Sequence, residues 1–319
     1  MNKNIAVVGN TDFTHIMELN SLFKDAILPS YLNNLSVSFQ PETEEIHLGG
    51  AASDIAYNLK LLGLNPFLFS VLGSNFQEFF DKFNANGIST KYIQVNKKAL
   101  SPSSYILNDR NKNQLTIFSS ACTLDHNFCM DFADLKSSDI EFAILSSNTQ
   151  DRMIAFSRDA KKRGIPYIFD PGQSITSISD DNLYELTFNS MGIIVNAYEF
   201  TLMLKKLGRS VEDLTERLKF VVRTKGLEGS EVFTKNNPSI CVPAILVINA
   251  EPTACGDAFR AGFIKSYIDD ENELERALKY GTVSASFALE KSGTQSHKFD
   301  LETFYNRLEE HFPGTSRVG

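Results

Sequence analysis

The order of short apolar runs and helical periods constrains this chain most. Ile5–Val8, Pro66–Leu72, Glu141–Leu145, Tyr167–Phe169 and Ile193–Val195 are brief apolar runs of strand length. Between them lie segments of helical period: Ser53–Leu62 stopped by Gly63, Phe76–Ala85 ending at the Asn86-Gly87 turn, and Arg152–Arg163, whose basic end and Gly164 mark a C-terminus. Apolar runs without alternation read as strands buried on both faces. Strand, helix, strand in that order then requires parallel neighbours joined by crossovers. The sequence predicts an α/β fold with a central, mostly parallel sheet and helices on both faces. Gly256–Ile268, Glu273–Lys291 and Leu301–His311 add a helical C-terminal third.

Two regions break the alternation. Ser36–Leu48 and Ser103–Phe118 alternate polar and apolar residues with no helix between neighbouring runs, and Asn108-Asp109-Arg110-Asn111-Lys112-Asn113 reads as a turn between antiparallel strands. They predict a small β lid inserted into the main unit. With no repeat, low-complexity segment or flexible linker, residues 1–319 read as a single domain.

Charge and cysteine usage exclude several classes. Lys plus Arg is 31 against 39 Asp plus Glu, a formal charge of −8, with no long basic run, so no nucleic-acid partner is expected. No run reaches the roughly 18 apolar residues of a membrane helix, and the apolar part of Met1–Gly9 is short for a signal peptide. Cys122, Cys129, Cys241 and Cys255 form no CxxC pair and read as reduced thiols. The expectation is a soluble cytoplasmic protein, monomer or homodimer, acting on a small molecule. The histidines lack zinc-ligand spacing, and GxxxxGK[ST], a GxGxxG after the first strand and GxSxG are all missing. The acidic stretch Asp269–Glu273 reads as a solvated helix start. The 25 Phe and absent Trp have no compositional explanation.

Three segments carry chemistry. In Glu251-Pro252-Thr253-Ala254-Cys255-Gly256-Asp257-Ala258-Phe259-Arg260-Ala261-Gly262, small residues run straight into a helix. Exposed N–H groups of Ala254 to Asp257 at that N-terminus would favour an anion, and Asp257 in the same turn suits a general base for a hydroxyl attacking a phosphoryl group. The same spacing also fits a plain N-cap at Asp257. In Gly49-Gly50-Ala51-Ala52-Ser53-Asp54-Ile55-Ala56-Tyr57-Asn58, two glycines allow close ligand approach, and Asp54 and Asn58 fall four apart on one helix face, where both could bond a polyol. An ordinary glycine turn and helix start fits as well. Arg223-Thr224-Lys225-Gly226-Leu227-Glu228-Gly229 is a strand end followed by a glycine turn.

Taken in order, these segments resemble the ribokinase (PfkB) family of carbohydrate kinases nearly end to end. Gly49-Gly50 and the following helix look like its first signature, and Ala254-Cys255-Gly256-Asp257 like its anion hole with catalytic base. Asn196-Ala197-Tyr198-Glu199 matches the intervening Asn-x-x-Glu motif, and Thr224-Lys225-Gly226 with Gly229 the nucleotide-side turn. Asn113-Gln114, Asp170-Pro171-Gly172-Gln173, Cys255-Gly256 and Gly293-Thr294-Gln295-Ser296-His297 are more similar to the bacterial adenosine kinase-like branch.

The resemblance implies a ribokinase-like kinase using ATP and Mg2+. Its acceptor would be the primary hydroxyl of a ribose-containing nucleoside, adenosine first, or of a related sugar. Asp257 would be the base, with the N–H groups of Ala254, Cys255 and Gly256 holding the transferred charge. Asp12, Gly49, Gly50, Asp54, Asn58 and lid residue Gln114 would meet the acceptor. Asn196, Thr224, Lys225, Gly226 and Gly229 would meet the nucleotide, and Glu199 the metal through water. A free-sugar or sugar-phosphate kinase and a non-catalytic binding homologue are the alternatives. Four positions depart from the family pattern. Thr14 stands where an acceptor-binding Asp usually falls, with Asp12 two residues earlier; Asp54 replaces Asn, Glu251 replaces Asp, and Ala254 replaces the first Gly. A methyl at 254 is unstrained at negative φ and strained at positive φ.

Overall fold

The computed structural model describes residues 4–111, 113–128, 131–132, 135–248 and 250–318. Met1–Lys3 of the leader reading, the turn residue Lys112 and the Cys129 thiol lie outside the described residues. In chain order the strands are β1 Asn4–Val8, β2 Asp12–Glu18, β3 Thr43–Gly49, β4 Asn65–Leu72, β5 Ile93–Val95, β6 Ser103–Asn108 and β7 Gln114–Ser119. They continue with β8 Phe142–Leu145, β9 Tyr167–Phe169, β10 Gly192–Asn196, β11 Phe220–Thr224, β12 Ser230–Phe233 and β13 Ile240–Val242.

Nine strands form the central sheet in the order β13-β12-β11-β10-β9-β8-β1-β4-β5. It is parallel from β5 to β11 and ends in the antiparallel strands β12 and β13. Helices cover both faces, as the apolar runs require. Ile5 and Val7 of β1 point into one core with the helices Ala51–Leu61, Gln77–Ala85, Cys255–Tyr267 and Leu274–Leu289. Ala6 and Val8 point into the other with Gln150–Arg163, Asp180–Asn189 and Ala197–Leu207. Burying both faces of each such strand contributes on the order of 2 kcal/mol per large aliphatic side chain, before chain entropy is counted. Phenylalanines do much of the filling: Phe69, Phe132 and Phe156 meet edge to face, with centroids 5.0 to 5.8 Å apart.

The smaller sheet is four-stranded, in the order β3-β2-β6-β7, and differs from the expected lid in two ways. Residues 36–42 lie outside its strands, since β3 begins at Thr43. Asp12–Glu18, which sequence patterning did not mark, is its second strand. The buried positions of β2 are Asp12, Thr14 and Ile16, so its inward face is mainly polar and hides the usual alternation. Asp109 closes the β6–β7 turn, its Oδ1 accepting from the N–H groups of Asn111 and Asn113, both at 2.9 Å.

Candidate active site

The C-terminal ends of β1, β8, β9, β10 and β11 open into a cleft of about 1170 Å³, walled opposite by β2, β6 and β7 of the smaller sheet. Parallel sheets present ligands with this end of their strands. Asp12, Gly50, Asp54, Gln114, Asn196, Glu199, Thr224, Lys225, Gly226, Ala254, Cys255, Gly256 and Asp257 all line it. Segments 200 residues apart in sequence thus share one cavity.

Three anticipated residues do not line it. Gly49 lies behind Gly50, and a Cβ there would meet Thr14 Oγ1 at 2.6 Å and Thr294 Oγ1 at 2.7 Å. Gly229, at φ +90°, makes the turn that lets Lys225 N–H reach the Gly229 carbonyl at 2.7 Å. Asn58 shares Asp54's helix but turns inward, donating Nδ2 to the Asp54 carbonyl at 2.9 Å and pairing Oδ1 with His297 Nε2 at 2.8 Å.

Two buried carboxylates form the acceptor side. Asp12 receives hydroxyls from Thr14 on Oδ1 at 2.8 Å and from Ser104 on Oδ2 at 2.7 Å. Burial raises its pKa, and those donors partly offset the rise. Gly50 sits at φ +100°, where a Cβ would lie 2.6 Å from the Asn10 carbonyl, so only glycine lets the helix Ala51–Leu61 start against β2. That helix carries Asp54, whose pKa burial and the charge of Asp257 push well above the ordinary carboxylate range. Gln295, which spacing gave no reason to include, donates Nε2 to Asp54 Oδ1 at 2.8 Å.

At the other side, Ala254 adopts φ +60° and caps the helix Cys255–Tyr267. The methyl therefore sits in the strained left-handed region. Cys255 N–H reaches the Pro252 carbonyl at 3.3 Å, whereas among the described residues no backbone carbonyl takes the N–H of Gly256 or Asp257. The N–H of Ala254 likewise has no backbone carbonyl among the described residues, so of the amides expected to stay open only that of Cys255 is taken. Burial, opposed by Arg260 and reinforced by Asp170, Glu199 and Asp12, holds the Asp257 carboxyl at about 7. Burial and Asp257 push the Cys255 thiol up to about 11, leaving it a neutral, inert neighbour. A carboxylate near neutrality beside open amides can accept a hydroxyl proton while an anion is held within reach.

Asn196 and Glu199 form a reciprocal capping box on Ala197–Leu207: Glu199 N–H donates to Asn196 Oδ1 at 2.8 Å, and Asn196 N–H to Glu199 Oε2 at 2.9 Å. Among the described residues no three His, Cys, Asp or Glu side chains converge as a metal cage. Glu199 instead fits a hard cation held mostly by phosphates and water, the ordinary situation of Mg2+.

This cleft, on a doubly wound sheet with a β wall over one end, defines a phosphotransferase that acts on a hydroxyl group. The profile described as "pfkB family carbohydrate kinase" matches residues 14–300, and the chain belongs to that family. It is similar to a nucleoside kinase of Methanocaldococcus jannaschii, 28% identical over 286 residues, covering 86% of this chain and 90% of that one. Its fold matches the solved nucleoside kinase of Burkholderia thailandensis in complex with inosine at a TM-score of 0.90 and 25% identity, covering 99% of this chain and 100% of that one. The ADP-inosine complex of the same protein gives 0.87 at 25% identity, covering 99% and 98%, and its ligand-free form 0.78 at 26% identity, covering 96% and 100%.

Proposed function

We propose that the chain transfers the γ-phosphoryl group of ATP to the primary hydroxyl of a ribose-containing nucleoside, with adenosine and inosine as the first candidates. The observation that carries this reading is the distribution of charge along the cleft. Among the described lining residues the basic ones are Lys225 and Arg260, both on the donor and transfer side, whereas the acceptor side offers Asp12 and Asp54 with Ile106 and Phe118. Such a wall bonds ribose hydroxyls and packs on a base, and it provides no cationic clamp for a sugar phosphate.

In this reading Asp12 and Asp54 orient the ribose, and Asp257 takes the proton of the attacking hydroxyl. As the new P–O bond forms, the bond from the γ-phosphorus to the β–γ bridging oxygen breaks, and ADP leaves with that electron pair. The Gly256 and Asp257 amides face the moving charge. Glu199 would hold Mg2+ through water, where the ion would supply charge neutralisation at the phosphates. The smaller sheet acts as the lid, excluding water from the transferring group.

The test is ADP formation from Mg-ATP across adenosine, inosine, other nucleosides, ribose, fructose and their phosphates. Nucleosides are expected to give the highest kcat/KM, and Phe118→Ala to raise nucleoside KM about tenfold with ATP KM unchanged. Ribose or a sugar phosphate outperforming every nucleoside would refute the acceptor assignment. Ligand binding without turnover would favour a non-catalytic homologue.

A further inference from the structure

Asp170 and Arg260, 90 residues apart, meet beneath the transfer point, and the transfer step above gives neither a role. Arg260 lies one turn after Asp257. Its Nε is 2.6 Å from Asp170 Oδ2, and its Nη2 donates to Asp170 Oδ1 at 2.6 Å. Asp170 is held in turn by the Gly172 N–H, which donates to Oδ1 at 3.2 Å. The Nη2 hydrogen bond and the close Nε–Oδ2 ion pair seat the guanidinium against Asp170 and leave Nη1 to face the cleft. Nη1 lies 3.9 Å from Asp257 Oδ1 and so close to Gly256 that a Cβ there would be 2.7 Å from it.

Both side chains are nearly buried, yet both line the cleft. A buried ion pair of this kind seldom adds net stability over a neutral pair of the same volume, so its retention calls for another reason. The adjoining backbone supplies one: with the Cys255 N–H turned to Pro252, the transfer point has lost an amide donor.

We propose that Arg260 is a catalytic residue of phosphoryl transfer. Nη1 presents a fixed positive charge to the phosphoryl group as it passes over Gly256, and Asp170 is the positioning residue that aims it. The inference rests on the kinase reading above. Arg260 stays protonated throughout: the hydroxyl proton goes to Asp257, the P–O bond to the acceptor forms as the bond to ADP breaks, and the guanidinium meets only the charge spread over the equatorial oxygens. Lysine, lacking the planar guanidinium that reaches Asp170 with one nitrogen and the transfer point with another, would keep the charge and lose its aim.

The test compares Arg260→Gln, Arg260→Lys, Asp170→Asn and the double variant Arg260→Met/Asp170→Asn in the full chain, by steady-state kinetics on the acceptor the wild type uses and by thermal unfolding. Measured on the plateau above the Asp257 acid limb of each variant, Arg260→Gln is expected to lose on the order of 10²-fold in kcat with acceptor KM within about threefold, and Asp170→Asn about tenfold. Arg260→Lys should stay nearer the Gln variant than the wild type. The double variant removes both charges of the Asp170–Arg260 pair, so it covers the case in which a single variant fails to fold. It is expected to unfold near the wild-type temperature while its kcat stays low. Recovery of kcat together with stability in the double variant, or an Arg260→Gln kcat within threefold of wild type, would overturn the inference alone. A wild type that phosphorylates no acceptor would overturn it together with the kinase reading.

Discussion

Thr14 donates its hydroxyl to Asp12 Oδ1 across 2.8 Å, two residues back on the same strand face. Thr14 thus orients the carboxylate proposed to bind the acceptor. Asp12→Asn keeps the shape but removes the charge and half the acceptor capacity. Acceptor KM is expected to rise roughly 10- to 100-fold, with kcat and ATP KM changing much less. Nucleoside and ATP titrations of the variant check the split.

Asp257, held at about 7 mainly by burial, must be ionised to act as a base. The wild-type kcat should therefore rise with pH along an acid limb near 7 and level off above it. Asp257→Asn should lose about 10²- to 10⁴-fold at the plateau, with the limb removed from any residual rate. The sign for stability is opposite. A carboxyl raised above its unfolded value of 3.8 favours the fold while protonated, and that contribution is lost as pH climbs through about 7. At pH 8 the Asn variant should unfold at a higher temperature than wild type, and at pH 4 the gap should close.

Ala254 at φ +60° carries a strain of about 1 kcal/mol that glycine would not. Glycine also loosens the unfolded chain, so Ala254→Gly should gain a net of about 0.5 kcal/mol and raise Tm by about 1–2 °C. Turnover within about twofold of wild type is expected, because the amide positions are already set. Calorimetry and a progress curve decide both.

Glu199 combines a cap with the proposed metal contact, and two variants separate these roles. Glutamine at the same position preserves the capping box, so Glu199→Gln should keep Tm within about 1 °C while raising the Mg2+ concentration for half-maximal activity several-fold. Glu199→Ala should show the same Mg2+ shift and lose about 1 kcal/mol besides. An unchanged Mg2+ dependence in both would remove Glu199 from the metal's surroundings.

What the sequence revealed divides along physical lines. Gly50 and the small residues at 254–256 were legible because they impose backbone geometry whatever surrounds them. Ile5–Val8 and its parallel partners were legible because burial on both faces leaves an unbroken apolar run. β2 escaped because its buried face is Asp12 and Thr14, so the polarity that makes it useful erases the alternation that would announce a strand. Asn58 was misplaced because i, i+4 spacing locates a side chain on a helix face and says nothing of His297 waiting 239 residues away. Gln295 beside Asp54 and Arg260 on Asp170 were out of reach for the same reason: no local pattern encodes a contact between distant segments.

The smaller sheet has a root as well as a face. β2 opens on Asp12 and β3 closes on Gly49, its register partner, immediately before the helix that carries Asp54. The groups proposed to choose the acceptor are therefore the posts from which the covering strands hang. On such wiring, acceptor preference and the proposed protection of ATP against wasteful hydrolysis would be inherited as one trait. A lineage adopting a new acceptor by altering Asp12 or Asp54 would disturb both, and would have to restore the second before the first could be of use.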